Sequence, residues 1–249
     1  MTSERIATYF QKASKYGMLA DYYKYHNPSL HMHYYKKHLN NLQKAMEAER
    51  NMRGEGDRPA NIRILHAVPG APNVDVLVNG TRVLKDFPYK KVTDYLSLPA
   101  GKYQVDVYPT GNLASSLISR KINVESGKSY TIAATGAGKN LNLQTFEDQF
   151  DVPSGKTKVR LIHLSPDAGA VDVGVKNGDN LFNNVTFRKS TDYLTINPTN
   201  VDLEVKKAGT NDAVLSLPNV NLLPNTSYSV YAIGLANDQP SLEALILVP

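Results

Sequence analysis

The chain has 249 residues, 41% hydrophobic and 20% charged, an ordinary globular composition with room for more than one core. The absence of cysteine excludes disulfides, thiolate chemistry and cysteine-type zinc sites. The net charge of +5 lies mostly at the front, where residues 1–60 hold 10 Lys and Arg against 6 Asp and Glu, whereas the remainder holds 18 against 17. This near-neutral remainder argues against the basic face of a nucleic-acid-binding protein.

No stretch of the sequence approaches the roughly 18 apolar residues that a membrane-spanning helix needs, so no membrane span is expected. Residues 1–6 do not form a basic region followed by an apolar stretch, so no ordinary signal peptide is expected. A place in the cell envelope or on the spore surface would then require another route. A cytoplasmic location is the alternative.

Residues 1–50 carry 7 of the 15 tyrosines and 4 of the 6 histidines. They are predicted to form two helices, because Asn27 is a good helix cap and Pro28 is tolerated in a first turn. Thr2 or Ser3 would cap the first helix. Its predicted apolar face consists of Ile6, Phe10, Ala13 and Gly17. The second helix has an apolar seam at spacings of three and four residues, formed by Met32, Tyr35, Leu39, Leu42 and Met46.

This helical segment has two interpretations. It packs on itself or on the first β domain, or it binds a partner protein or a second copy of the chain through the seam. The seam spans two heptads, which is short for a coiled coil. Residues 51–60 are charged and contain two glycines, so they are predicted to be a flexible linker. The candidate partner-binding residues are Tyr22, Tyr23, Tyr25, Tyr34, Tyr35, Leu39 and Leu42.

The histidines of this segment could suggest a metal site. His31 and His38 share one helical face but lie about 10.5 Å apart along the axis, too far for one ion. A solvated or inter-chain role is therefore expected for them, and no cofactor or metal is predicted.

Residues 61–249 contain the same pattern twice. The first copy has Arg63, His66, Pro69, Val74 and Asp75, and the second has Arg160, His163, Pro166, Val171 and Asp172. The register continues through an Asn-Gly pair and a Thr-Asp-Tyr-Leu run in each copy. The repeat of about 97 residues far exceeds the unit of a solenoid, so each copy is a whole domain.

Each copy is predicted to form seven or eight short antiparallel strands, because runs rich in Val, Ile, Leu, Tyr and Thr alternate with turn residues about every ten positions. The fold class is therefore mainly β, with two tandem β-sandwich domains at 61–150 and 157–249 after the helical segment. The joint between them is short, so limited freedom between the two sandwiches is expected.

The pattern Arg-(Ile/Leu)-x-His-x-x-Pro-x-Ala-x-x-Val-Asp-Val, followed by Asn-Gly and Thr-Asp-Tyr-Leu, resembles the bacterial domain-of-unknown-function family 4397, whose members often occur as tandem copies. The resemblance covers about 61–249. It implies a β-sandwich of immunoglobulin-like type, usually found on secreted or cell-envelope proteins, and it implies no known activity.

Repeated histidines and aspartates are the candidates for chemistry. A His-Asp pair in each domain, joined by the aspartate of the Thr-Asp-Tyr-Leu run, could form a metal or catalytic site. The favoured interpretation is structural: an imidazole that fixes the turn before proline, and aspartates that satisfy backbone donors. No Gly-x-Ser-x-Gly elbow is present, and no enzyme activity is expected. The residues concerned are His66, Asp75, Asp94, His163, Asp172 and Asp192.

Three functional classes remain. The leading one is a non-catalytic structural or adhesive protein of the cell envelope or spore coat, attached through residues 1–50. The alternative is a module that binds carbohydrate or a cell-wall polymer. With no tryptophan in the chain, its stacking platform would use Tyr89, Tyr95, Tyr108 or Tyr193. A hydrolase or metal site at the repeated His and Asp positions ranks last.

Overall fold

The computed structural model describes residues 3–52 and 58–248, with the side chains of 5–48 and 58–248. The chain divides into two compact units, Met1–Arg58 and Pro59–Pro249. The first unit consists of helices α1 (Ser3–Tyr23) and α2 (Pro28–Met52), and the second is built of strands. No helix in the described part of the chain is long and apolar enough to cross a membrane.

The break between the two helices lies where the sequence predicts it. Asn27 caps α2 by accepting a hydrogen bond from the N–H of Leu30 (3.1 Å), and Pro28 is the first helical residue. The predicted start of the linker is wrong, because α2 continues through Met52. Its last two turns are rich in Ala, Met and Glu, which are strong helix formers. Thr2 and linker residues 53–57 lie outside the described residues.

The two helices pack through a face that differs from the predicted seam. Ala13 and Ala20 of α1 and Ala45 and Ala48 of α2 are buried, and such small side chains let two helices approach closely. The predicted seam instead faces outward, with Leu42 alone half-buried. The exposed fractions are 50% for Met32, 43% for Tyr35, 47% for Leu39 and 61% for Met46, and the predicted face residue Phe10 is 42% exposed.

Eight strands form the first β domain, in two four-stranded sheets of order β4-β1-β7-β8 and β3-β2-β5-β6. The strands are β1 (Ala60–His66), β2 (Val74–Val78), β3 (Thr81–Phe87), β4 (Leu96–Leu98), β5 (Gly101–Pro109), β6 (Ile118–Val124), β7 (Ser129–Ala137) and β8 (Asn140–Asp148). The Asn79-Gly80 pair makes the β2–β3 turn with positive φ at both residues (48° and 77°), as a type I′ hairpin requires.

The second β domain repeats this arrangement, with sheets of order β12-β9-β15-β16 and β11-β10-β13-β14. Its strands are β9 (Thr157–His163), β10 (Val171–Val175), β11 (Asn180–Val185), β12 (Leu194–Ile196), β13 (Thr199–Lys207), β14 (Ala213–Leu222), β15 (Thr226–Ile233) and β16 (Glu243–Leu247). The prediction of a mainly β chain with tandem domains after two helices is thereby confirmed.

The prediction of purely antiparallel sheets is wrong at one pair of strands in each domain. β1 pairs with β7 in parallel, and β9 pairs with β15 in parallel. The intervening chain passes through the other sheet before it returns, and parallel neighbours require such a long connection.

Three clusters of buried apolar side chains fill the β unit. One lies between the two sheets of the first domain and includes Ile64, Val76 and Ile132. A second fills the second domain in the same way. The third contains residues of both domains, so β1, β7, β9 and β15 are buried on both faces. We call this third cluster, with the polar residues around it, the interdomain seam.

The helix pairing predicts a specific effect for His38, whose Nδ1–H donates to the carbonyl of Ala13 across the hairpin (2.8 Å). His38→Ala removes this bond and should weaken the hairpin by about 1 kcal/mol. Hydrogen exchange of α1 and α2 in the full chain measures the effect, and exchange should become several-fold faster. His33→Ala, an exposed histidine on the same helix, is the matched control. Equal exchange rates in the two variants would contradict the pairing.

Candidate functional site

The repeated histidines are fully buried and each closes the loop that follows its own strand. The Nδ1 atom of His66 accepts from the N–H of Val68 (3.3 Å), and its Nε2–H donates to the carbonyl of Pro72 (3.3 Å). Burial lowers the pKa of both imidazoles, and the carbonyl partner opposes the shift. In the second copy the partners of His163 are the N–H of Ser165 (3.3 Å) and the carbonyl of Gly169 (2.6 Å).

The repeated aspartates hold a bulge in the neighbouring strand. Asp75 accepts from the N–H of Asp86 (2.9 Å), which has a positive φ of 54° where β3 shifts register against β2. Asp172 accepts from the N–H of Asn184 (2.6 Å) at the same place in β11. The hydrogen bond from Asp86 lowers the pKa of Asp75, and the guanidinium of Arg82 adds to the effect.

The structure does not assemble these residues into a reactive centre. His66 and His163 bond to backbone atoms, and Asp94 and Asp192 are exposed on the segments before β4 and β12. Within residues 3–52 and 58–248, no group of three His, Asp or Glu side chains could hold a metal ion.

The interdomain seam is the most organised cluster of side chains in the β unit. Its apolar part includes Leu65, Phe146, Ile162 and Tyr231, and the rings of Phe146 and Tyr231 meet edge to face at 6.4 Å. These residues come from the outer faces of two sheets, one in each domain. The two copies therefore bind each other through equivalent surfaces, as the subunits of a two-fold symmetric dimer do.

Two buried arginines at equivalent positions cross the seam. Arg160 donates through Nε to Ser229 (2.9 Å) in its own domain and through Nη1 to the carbonyl of Glu147 (2.7 Å) in the other domain. Its Nη2 forms an ion pair with Asp148, whose side chain is fully buried. This charge-assisted bond joins the last strand of the first domain to the first strand of the second.

Arg63 makes two equivalent contacts, one within the first domain and one to the second. Its Nε donates to Thr131 (2.8 Å) in its own domain, and its Nη1 donates to the carbonyl of Val248 (2.9 Å) in the other domain. Thr131 in turn donates to Asp148 (2.6 Å), and Arg63 Nε lies 3.8 Å from the same carboxylate. One carboxylate thus serves two buried guanidinium groups.

Tyrosines cover both arginines. The ring of Tyr95 lies 4.8 Å from the Arg63 guanidinium and that of Tyr193 lies 4.5 Å from the Arg160 guanidinium, both in cation–π geometry. The Tyr95 hydroxyl donates to Asp148 (2.6 Å). Burial raises the pKa of Tyr95, and the hydrogen bond to Asp148 raises it further. Both tyrosines are half-buried, and the guanidinium occupies one face of each ring, so a sugar ring could stack on the opposite face alone.

A second pair of contacts joins the domains near the strand ends. Lys90 of the first domain pairs with Glu243 of the second (2.8 Å), and Arg188 of the second reaches Thr135 (3.0 Å) and Asn140 (2.6 Å) of the first. Gly136 leaves room for this contact, because a Cβ there would lie 2.0 Å from the Asn140 carbonyl oxygen and 2.8 Å from Arg188. Tyr89, also named as a platform candidate, packs at this end of the seam.

The two repeated arginines are the feature of the sequence that could have indicated the interdomain seam. Arg63 and Arg160 are each flanked by apolar residues on both sides, at the same place in both copies, and a charged side chain buried in such a strand needs a partner. Asp148 carries no such signal, since the residue that follows Val248, the counterpart of Glu147, is a proline in the sequence.

In the helical unit, the candidate partner-binding residues divide into two groups. Tyr23 and Tyr34 stack on each other (5.7 Å), so they belong to the hairpin itself. The expectation of a solvated or inter-chain role for His31 and His38 is wrong, because each bonds to a carbonyl of α1 (2.8 Å). The remaining residues stay accessible: Tyr22, Tyr25, Tyr35 and Leu39 are exposed, and Leu42 is half-buried.

The chain belongs to the DUF4397 family, which is described as a domain of unknown function, and the match covers residues 60–174 and 175–248. The two segments agree with two tandem copies. A comparison with curated proteins found no match.

Three solved structures are similar to parts of the chain. The C-terminal domain of AlgF from P. aeruginosa is 21% identical over 38% of this chain and 99% of its own, with a TM-score of 0.31. The N-terminal domain of AlgF is 22% identical over 39% and 98%, with a TM-score of 0.27. A family CBM26 module of Eubacterium rectale Amy13K, solved with maltoheptaose, is 11% identical over 77% and 98%, with a TM-score of 0.25.

The repeated histidines predict a pH dependence. Their pKa values lie below the ordinary value of about 6.5, so the unfolded chain binds more protons as the pH falls below that value. Their contribution to stability is complete above about pH 6.5 and is lost at lower pH. The unfolding free energy of the β unit should rise between about pH 5 and pH 7, measured with urea. The rise should shrink in the double variant His66→Gln, His163→Gln, and an unchanged slope would contradict the burial of neutral imidazoles.

The seam predicts that Asp148→Asn is strongly destabilising. The substitution keeps the size of the side chain and leaves two buried guanidinium groups without a carboxylate, which should cost about 3 kcal/mol. Urea unfolding measures the loss. Glu147→Gln is the matched control, because the neighbouring carboxylate is 47% exposed and pairs with Lys128 at the surface. Similar losses in both variants would contradict the role assigned to Asp148.

Proposed function

We propose that this protein is a non-catalytic structural or adhesive component of the cell envelope or spore surface. The observation that carries the proposal is the interdomain seam. It joins the two β domains through an apolar cluster, two buried arginines and one shared carboxylate, so that the tandem copies form one compact unit. A protein that transmits force or maintains a surface needs such a rigid unit.

The positions of the repeated polar residues support a structural role. The buried histidines close loops, and the buried aspartates hold strand bulges. Each of these side chains already uses its hydrogen-bonding groups in the fold. A histidine or aspartate of this set could contact a substrate only after one of its hydrogen bonds within the fold is broken.

The helical unit is the proposed attachment segment. Met32, Tyr35, Leu39 and Met46 form an exposed apolar stripe on α2, which we call the α2 stripe. Spacings of three and four residues suit the packing of another helix, and residues 1–60 carry four more basic than acidic side chains. The proposed occupant is therefore an amphipathic helix with acidic flanks on another protein of the same assembly.

The finer details of the fold and location belong to the same proposal. The domains are of immunoglobulin-like type, as the family resemblance implies, and the protein is found at the surface of the producing cell or spore. Fractionation of growing cells, medium and spores tests the location. Recovery from the cytosol alone would reject this part of the proposal.

Binding of a surface polysaccharide is the second candidate. A groove of about 470 Å³ opens beside the seam and is lined by polar groups that include Thr145, Gln149 and Asp192. Hydroxyl, amide and carboxylate groups in a groove suit the hydroxyls of a sugar chain. Titration of the protein with cell-wall polysaccharide, with Asp192→Ala as the variant, tests this candidate. Absence of saturable binding would remove it.

The attachment proposal predicts the effect of one charge in the α2 stripe. Leu39→Glu should move the protein from the envelope or spore fraction to the soluble fraction, because a buried carboxylate would oppose helix packing. Asn40→Glu adds the same charge at the next position, which lies beside the stripe, and should leave the distribution unchanged. Quantitative immunoblots of fractionated cells measure both. Equal retention of the two variants would contradict attachment through the α2 stripe.

A further inference from the structure

The positive charge of the helical unit is concentrated at the end where the two helices meet. A hydrogen bond joins His38 of α2 to the carbonyl of Ala13 of α1, so residues 11–40 form the half of the hairpin that contains the turn, which we call the turn half. It contains five lysines and one aspartate, whereas the rest of residues 1–60 contains five basic and five acidic side chains. The whole basic surplus of residues 1–60 therefore lies in the turn half.

The lysines of the turn half are all accessible to solvent. They are Lys12, Lys15, Lys24, Lys36 and Lys37, and each side chain is exposed. Charges of one sign gathered at one end of a small unit produce a field that attracts a negatively charged surface from a distance. The turn half therefore suits a partner that carries many negative charges.

Apolar and aromatic side chains are exposed at the same end. Met18 and Tyr22 are both 66% exposed, and Tyr25 is 83% exposed. Met18 and Tyr22 lie four residues apart on one face of α1, and Tyr25 follows in the turn. The ammonium group of Lys24 lies 5.5 Å from the centre of the Tyr25 ring, so a cation lies beside the aromatic surface. We call Met18, Tyr22 and Tyr25 the turn patch.

The turn patch and the lysines together favour one kind of partner. A soluble polyanion, such as a phosphate-rich polymer, would use the lysines and leave the turn patch in water. The headgroup region of a membrane accommodates both, because a tyrosine there places its ring among apolar groups and its hydroxyl in water. Lysines around the patch then lie at the level of the lipid phosphates.

We propose that the turn half binds the surface of a membrane that contains anionic lipids. Met18, Tyr22 and Tyr25 enter the headgroup region, and the lysines bind the lipid phosphates. The contact uses α1 and the turn, whereas the α2 stripe is assigned to a protein partner. The membrane contact therefore does not depend on the function proposed above, and each can fail without the other.

Sedimentation of the full chain with lipid vesicles tests the proposal. Vesicles of phosphatidylglycerol mixed with phosphatidylcholine should bind the chain at least about ten-fold more tightly than vesicles of phosphatidylcholine alone, since each lysine near an anionic surface strengthens binding several-fold. Added salt should weaken the binding, because ions screen the lysines. Equal binding to both kinds of vesicle, or binding to neither, would overturn the proposal.

Two variants locate the contact. Met18→Glu places a carboxylate in the turn patch and should weaken binding to the mixed vesicles at least about ten-fold. Met46→Glu is the matched control, because Met46 is 61% exposed, lies in the other half of the hairpin and receives the same change in net charge. Its binding should stay within about two-fold of the unchanged chain, since salt limits the reach of one charge to about 10 Å. Glutamate is a strong helix former, so both variants should fold. Equal weakening in the two variants would overturn the proposal.

A spin label measures insertion directly. The chain has no cysteine, so Tyr25→Cys and Gln43→Cys each provide one label at an exposed position. On the mixed vesicles, the label at position 25 should become more accessible to oxygen and less accessible to a water-soluble nickel chelate. The label at position 43 should not change. Unchanged accessibility at position 25 would overturn the proposal.

A competitor separates a lipid surface from a soluble polyanion. Polyphosphate, added at the same phosphate concentration as the vesicles, should leave most of the chain on the mixed vesicles, because it has no apolar region for the turn patch. Complete displacement would assign the turn half to a polyanionic polymer and overturn the proposal.

Discussion

The Asp148 carboxylate is the interaction on which the arrangement of the β unit depends. It accepts hydrogen bonds from Tyr95 and Thr131 on one oxygen and from Arg160 on the other. Without it, two guanidinium groups and the apolar side chains around them would have to be hydrated or separated. The apolar cluster supplies the area that holds the domains together, and the charged centre fixes their register, because each arginine must reach a particular carbonyl.

The seam also explains why the two copies are combined in one chain. Their contact surfaces are equivalent, as in a two-fold dimer, but the covalent link allows the copies to differ. The buried carboxylate of Asp148 belongs to the first copy alone. The two contacts between the domains near the strand ends also differ, because one joins Lys90 to Glu243 and the other joins Arg188 to Asn140. A symmetric dimer would place the same residue on both sides, so this asymmetry depends on the fusion of the copies.

Much of the fold could be predicted from the sequence, because the repeat, the strand alternation and the Asn27-Pro28 break are local signals. The parallel pairing of β1 with β7 could not, since pairing of distant strands leaves no local pattern. The helix face was misassigned for a similar reason. Large apolar residues such as Leu39 predict that α2 packs through its apolar stripe. In the structure, alanines and His38 make the contact between the two helices. The repeat pattern does not point to Asp148, because the second copy has no acidic residue at the equivalent position.

The interdomain seam should hold the two β domains as one rigid body. The chain has no cysteine, so two introduced cysteines can carry spin labels without background. Lys121→Cys on β6 and Ser216→Cys on β14 place the labels on exposed positions, one in each domain. Double electron–electron resonance then gives the distribution of distances between them. Domains held by the seam should give a single narrow distribution that is unchanged between low and physiological salt, and a broad or multimodal distribution would contradict a rigid β unit.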